Sequence, residues 1–253
     1  MMDSFRNPQV VLLIGGTSDI GIRTIEELFK NNRLTKILVT SQNEENLKLS
    51  MERLSKLEIE IEGSVLNLEQ THKCGPIVDE ILQKNHVDLC LLASGILPNN
   101  EIASRNTDLA IKTALINYVG PLEVGTAVLN AFKNQGGGIL VLFSSAATFR
   151  ARKDIFNYGA AKSALDHWAV GFAGTLTSPA IKILLVRSGM VRTKMSMGLT
   201  DAPFTINPED VAKLISKSLA RNKTILWAPN KLKIIKFILV NLPNFIFKRI
   251  KVR

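Results

Sequence analysis

Val10-Val11-Leu12-Leu13-Ile14-Gly15-Gly16-Thr17-Ser18-Asp19-Ile20-Gly21 is the stretch that decides the fold. Its five consecutive apolar residues predict a strand buried on both faces. The glycines after it permit a tight turn, and Ile22 to Asn31 carries a helical pattern. A strand, a glycine-rich turn and a helix together make an anion site, because the first N–H groups of a helix have no intrahelical partners. Gly15, Thr17, Ser18, Asp19, Ile20 and Gly21 are therefore candidates to cradle a dinucleotide pyrophosphate. Asp19 can cap the helix, but its carboxylate must point away from the phosphates.

The same alternation runs outward from this stretch. Strand-like runs are expected at Val10–Ile14, Lys36–Thr40, Glu58–Glu62, Val87–Ala93, Ile139–Ser144, Ile181–Arg187 and Thr224–Trp227, with helix-length segments between them. Continuous apolar strands separated by crossover helices predict a single doubly wound α/β domain. It would have a parallel sheet of about seven strands and helices on both faces. Asn207-Pro208-Glu209-Asp210 has the N-cap, first-turn proline and first-turn acids of a helix start. With 253 residues, 46% hydrophobic and 21% charged, the chain can bury a full core and is neither disordered nor fibrous. The domain is expected to run over residues 1–230, followed by a C-terminal tail over 231–253.

That division is drawn by charge. Of the net +10, seven units lie in 231–253, which has no Asp or Glu. The body keeps only +3, and no nucleic-acid-binding motif is present, so a nucleic acid partner is not expected. The tail mixes Ile, Phe and Leu with its cations and is broken by Pro243, so its apolar runs are too short to span a bilayer. Such a segment fits an anionic lipid surface, with a subunit interface or a docking strip for a partner protein as the alternatives. Cys90 lies in the apolar run Val87–Ala93 and reads as a buried small hydrophobe. The residues before Val10 do not form a signal peptide, and His72, His86 and His167 do not have metal-ligand spacing.

The chemistry-bearing pattern lies further on. Tyr158-Gly159-Ala160-Ala161-Lys162 sets a tyrosine and a lysine four apart, on one face of a helix. Ser144-Ser145 ends the Ile139–Phe143 strand, with Ser145 13 residues before that tyrosine, and Asn117 sits in a preceding helical segment. A free tyrosine has a pKa of about 10. A neighbouring ammonium is expected to lower it. Ser145 can hydrogen-bond a substrate oxygen, and Asn117 can hold a water in a proton relay.

Over residues 9 to about 228 these motifs resemble the short-chain dehydrogenase/reductase family, a Rossmann-type fold. The resemblance implies that Tyr158 donates a proton to a carbonyl while NADH or NADPH delivers hydride. It gives Lys162 the nicotinamide ribose, Ser145 the carbonyl and Asn117 the relay. It also implies cofactor contacts at Asn67, Ala93, Gly95, Gly189, Val191 and Thr193, and no metal. Three positions depart from the family pattern: Asp19 replaces the middle glycine, Leu92-Ala93-Ser94-Gly95 replaces N-N-A-G, and Ser188 replaces a proline. The second strand ends Thr40-Ser41-Gln42-Asn43 with no acid for a ribose 2′-OH, and Arg23 could meet a 2′-phosphate, so the residues leave NADPH open while the family resemblance implies NADH.

A narrower set occurs together: Gly-Gly-Thr-Ser-Asp-Ile-Gly, Ile116-Asn117-Tyr118, Val191-Arg192-Thr193-Lys194-Met195-Ser196, Ala202-Pro203-Phe204-Thr205 and Trp227-Ala228-Pro229. As a set they resemble the decaprenylphosphoryl-2-keto-erythro-pentose reductases of cell-wall arabinan synthesis. That resemblance implies a polyprenyl-phosphate sugar as substrate and an FAD-dependent oxidase as partner. It further implies a location at the cytoplasmic face of the membrane, with homo-oligomerisation open. Arg150, Arg152 and Lys153, in the loop between Ser145 and Tyr158, are candidates for the substrate phosphate. Lys194 to Leu199 is a candidate lid with an adaptable apolar surface. A reductase of another lipid-like or small ketone and a dinucleotide-sensing regulator are the alternatives, and the complete Asn–Ser–Tyr–Lys set speaks against the regulator.

Overall fold

The computed structural model describes residues 7–31, 34–221 and 223–247. Its strands are β1 (Val10–Ile14), β2 (Lys36–Ser41), β3 (Glu60–Val65), β4 (Leu89–Leu92), β5 (Gly138–Ser145), β6 (Ile181–Ser188) and β7 (Ile225–Ala228). All neighbouring pairs are parallel, in the order β3-β2-β1-β4-β5-β6-β7. This is the expected seven-stranded, doubly wound Rossmann sheet. Its strand order reverses between β1 and β4, which opens a crevice at the carboxyl ends of those strands.

Period-two alternation in the strands explains the two-sided core. Val11 and Leu13 of β1 face one side, where α1 (Asp19–Asn31), α2 (Glu44–Leu54) and α8 (Pro208–Ala220) supply Ile25, Leu54 and Ile215. Leu12 and Ile14 face the other side. There α3 (Cys74–Lys84), α6 (Gly120–Gln135) and α7 (Phe156–Ala173) supply Val78, Phe132 and Leu165. Cys90 is fully buried on this second side, and burial pushes its thiol well above the ordinary range.

The third strand begins later than its sequence pattern indicates, at Glu60 rather than Glu58. Glu58 has φ 54° and closes a 3₁₀ turn over Ser55–Leu57, so the chain extends only after it. This edge strand is half exposed, and Lys36 of β2 bridges Glu60 and Glu62 along it. Charges of this kind discourage a further strand from pairing at the edge. The helix start at Asn207 is as expected: Asn207 and Asp210 exchange side-chain-to-backbone bonds, and Pro208 occupies the first turn.

Two further short helices and the tail complete the described elements. The segment after β4 contains α4 (Asn100–Ala103) and α5 (Thr107–Ala114). The tail forms α9 (Leu232–Asn241) and α10 (Asn244–Phe247), and Leu232 is buried against the body. Lys248, Arg249, Lys251 and Arg253 lie outside the described residues.

Candidate active site

Gly15 carries the turn out of β1 at φ 93°, in the left-handed region that favours glycine. A methyl group there would lie 2.6 Å from Ser94 Oγ and 2.9 Å from Ser94 N, so the loops after β1 and β4 approach as closely as glycine allows. The Gly15 and Gly16 N–H groups donate to the Thr40 carbonyl at 3.1 and 2.7 Å, pinning the turn to β2. Ser18 Oγ accepts from Gly21 N at 3.2 Å. The helix cap is therefore Ser18, not Asp19. The Asp19 carboxylate instead accepts from Lys194 N at 2.9 Å and faces the Arg53 guanidinium at 3.4 Å. It ties the glycine-rich loop to the segment after β6.

Asn117 lies in a five-residue π-helical turn, Leu115–Val119, between α5 and α6. Such turns re-aim a side chain inside an otherwise regular helix. Asn117 is fully buried; its Nδ2 donates to the carbonyls of Ile96 and Thr113, both at 2.9 Å, and its Oδ1 accepts from Ile96 N at 3.2 Å. Its carboxamide thus fixes the loop that carries Ala93, Ser94 and Gly95. A methyl at Gly95 would lie 3.0 Å from Asn117 Oδ1 and 3.6 Å from both Lys162 Nζ and Met195 Cε. The glycine keeps open a cradle bordered by two of the proposed catalytic residues and by the lid. These residues fit a dinucleotide: the start of α1 would hold its pyrophosphate, and Lys162 would hold its nicotinamide ribose.

Ser145 stands at the last position of β5, and Tyr158 and Lys162 stand one turn apart on α7. Lys162 is buried and donates from Nζ to the Phe143 carbonyl at 2.9 Å; burial pushes its pKa down to about 8. Ser145 Oγ accepts from Ala147 N at 3.2 Å, and its hydroxyl neighbours the Tyr158 phenol. Burial raises the Tyr158 pKa, and the neighbouring Ser145 hydroxyl pulls it partly back. The expectation that Lys162 lowers the tyrosine is corrected here, because desolvation of the phenol dominates. For a proton donor this is the useful direction, since the phenol stays protonated at neutral pH.

The remaining candidates divide. Asn67 follows β3, and its Oδ1 accepts from Glu69 N. Ala93 N donates to the Ile14 carbonyl, which holds it at the crevice. Gly189 N donates to the Ala228 carbonyl, and Val191 bridges to Ile206, so the segment between them, which contains the candidate lid, leaves and returns at one point. Thr193 and Ser196 cap the lid's first turn reciprocally.

Two arginine expectations are corrected. Arg23 pairs with Glu26 at 2.6 Å and Glu209 at 2.8 Å, so its charge serves the α1–α8 contact rather than the end of β2. Arg150 is taken by the tail. It donates to the carbonyls of Leu239 and Leu242 and to Asn244 Oδ1, and it stacks 4.3 Å from the Phe247 ring centroid. Carbonyls at a helix C-terminus attract a cation, and this one is committed there. Arg152 pairs with Asp154 at 2.8 Å, while Lys153 stays exposed.

The sequence reading missed Asp166, Arg187 and Arg53. Asp166 lies one turn beyond Lys162 on α7; it accepts from Ser144 Oγ at 2.6 Å and receives two bonds from Arg187, at 2.7 and 2.9 Å. The i,i+4 spacing from Lys162 was the available signal for Asp166, and the position just before Ser188-Gly189 was the signal for Arg187.

Residues 9–203 match the family model for short chain dehydrogenase. The chain is 32% identical over 176 residues to an uncharacterized oxidoreductase of Mycobacterium tuberculosis, covering 69% of this chain and 71% of that one. It is 30% identical over 254 residues to an uncharacterized oxidoreductase of Streptomyces coelicolor, covering 99% of each. Among solved structures it resembles an actinorhodin polyketide ketoreductase with NADPH (TM-score 0.76, 20% identity, 88% of this chain and 97% of that one). It also resembles a Burkholderia cenocepacia short chain dehydrogenase in complex with NADP (TM-score 0.79, 16% identity, 96% and 98%). With its tyrosine, lysine, serine and asparagine brought to one end of the sheet, this chain belongs to the short-chain dehydrogenase family.

Proposed function

We propose that this oxidoreductase reduces the 2-keto group of a polyprenylphosphoryl pentofuranose, converting decaprenylphosphoryl-2-keto-erythro-pentose into decaprenylphosphoryl arabinose. The observation that carries the ketoreductase reading is the cradle at Gly95, bordered by Asn117 and the Lys162 ammonium, with Tyr158 one turn before Lys162 on α7 and Ser145 at the end of β5. When bound, a reduced nicotinamide supplies the hydride. Ser145 then orients the carbonyl oxygen, and Tyr158 gives its proton to that oxygen as negative charge develops there. The buried Lys162 ammonium stabilises the phenolate left behind and holds the nicotinamide ribose. Ketone, hydride and proton balance to a secondary alcohol. NADPH is favoured by the NADP-bound neighbours and by the lack of an acid at the end of β2.

The substrate rests on the co-occurring motifs of the narrower resemblance and on the apolar lid, where Met195 borders the cradle and Met197 and Leu199 are exposed. Of the three phosphate candidates, Lys153 is the one not committed to another charge or to the tail. A 2-keto sugar must come from a two-electron oxidation, the reaction of the FAD-dependent oxidase that the resemblance implies as partner. The test supplies that oxidase with polyprenylphosphoryl ribose and then adds this chain with NADH or NADPH. Arabinose product and loss of reduced nicotinamide support the reading. A confirmed keto intermediate that persists beside an enzyme active on other ketones sinks it.

A further inference from the structure

The tail helix α9 is built inside out. On an ordinary surface helix the apolar stripe faces the core and the charged residues face water. Here Ile234 (65% exposed), Phe237 (72%) and Ile238 (52%) face outward. Lys236 turns inward and lies over the rings of Trp227 and Phe149, at 5.6 and 6.0 Å. The helix is held from beneath by Leu232 and by the Arg150 clamp on the carbonyls of Leu239 and Leu242. Beyond Pro243, α10 continues the surface with Phe245 and Ile246.

The lid adds to the same surface. Met197 is 82% exposed, with Leu199 and Phe204 also exposed, and Lys231 lies 5.4 Å from the Phe204 ring centroid, joining the lid to the start of α9. Of the fifteen large apolar side chains exposed among the described residues, ten lie between Met195 and Ile246. An apolar surface this concentrated marks an interaction site.

Charge identifies the occupant. Seven cations and no acid lie in 231–253, and lysine is the principal one. Protein interfaces deplete lysine, whereas lysine interleaved with phenylalanine and isoleucine characterises helices lying in the headgroup region of an anionic bilayer. We propose that α9, α10 and residues 195–204, which take in most of the candidate lid, form one membrane-docking face, seating the mouth of the catalytic cradle on an anionic lipid surface. The face does not depend on which ketone is reduced. Among the described residues no helix is long and apolar enough to cross a bilayer.

The full-length chain should float with phosphatidylcholine vesicles that contain phosphatidylglycerol, bind pure phosphatidylcholine far less, and release at high salt. Phe237→Ser with Ile238→Ser alters only exposed positions and should weaken partitioning about tenfold or more, with unchanged circular dichroism and melting temperature. Lys233→Glu should weaken the anionic preference specifically. Vesicle binding that survives the double substitution overturns the proposal, as does no binding to either composition. A wild-type dimer that Phe237→Ser with Ile238→Ser turns into a monomer, without vesicle binding, would assign the face to a second copy and overturn it equally. These readouts are independent of turnover, so a wrong substrate and a wrong surface give different results.

Discussion

Ser144 donates to Asp166 at 2.6 Å, one residue before the Ser145 that meets Tyr158. The bond joins the end of β5 to the helix that carries Tyr158 and Lys162, and Arg187 joins β6 to the same carboxylate. Arg187 also lies 5.1 Å from the Trp227 ring centroid, so the assembly reaches β7. Asp166 and Arg187 therefore tie the ends of β5 and β6 to α7 and act as positioning residues for Ser145, Tyr158 and Lys162.

The Asp166–Arg187 pair is largely buried, with side chains 13% and 11% exposed. Removing one partner of such a pair strands the other charge and costs about 3–5 kcal/mol. Asp166→Ala should lower stability by roughly that amount in denaturant titrations. Asp166→Asn keeps an acceptor for Ser144, so its fold should persist while kcat falls more than KM rises. Equal kcat in wild type and Asp166→Asn would reduce the pair to a structural role.

The pKa of Lys162 dictates a pH dependence. The folded value, about 8, lies below the ordinary 10.5, so the ammonium is present at neutral pH and lost as pH rises through 8. Tyr158 is shifted up and remains a proton donor over that range. Reduction should therefore lose kcat/KM through an alkaline limb near pH 8, and Lys162→Arg, whose guanidinium stays charged, should remove that limb. Linkage gives a second sign. Between the two lysine pKa values the unfolded chain holds more protons than the folded one, so stability contributed by this site rises with pH from about 8 toward 10.5. Thermal melts of the cofactor-free protein across that interval read it directly.

Asp19 takes the place of a family glycine and holds the backbone of Lys194, 175 residues away. Asp19→Ala removes the acceptor for Lys194 N and the partner of Arg53 together. The lid should then open more often, and tryptic cleavage at Arg192 and Lys194 should accelerate about threefold or more, as expected for a segment of low local stability. An unchanged cleavage rate would mean that the Arg192–Asp201 pair, at 2.6 Å, is enough to hold the lid.

The fold was legible because β1, β4, β5 and β6 are continuous apolar runs that suit burial on both sides. β3 was the exception: its exposed residues and the left-handed Glu58 obscured its start. Tyr158, Lys162 and Ser145 were legible because their spacing and order carry the chemistry. The arginines were not. Whether Arg150 meets a phosphate or a helix C-terminus depends on where residues 239–247 return in space, and no local pattern states that. The same holds for Arg23, whose partner Glu209 is 186 residues away along the chain.

The most direct test of the central claim is a single-turnover reduction by wild type and Tyr158→Phe, with cofactor binding measured on both. The phenylalanine keeps the ring and removes the proton. Cofactor binding should stay intact and the rate should fall by about 10²–10⁴-fold, the contribution typical of a positioned general acid. Reduction by Tyr158→Phe at the wild-type rate would contradict that claim.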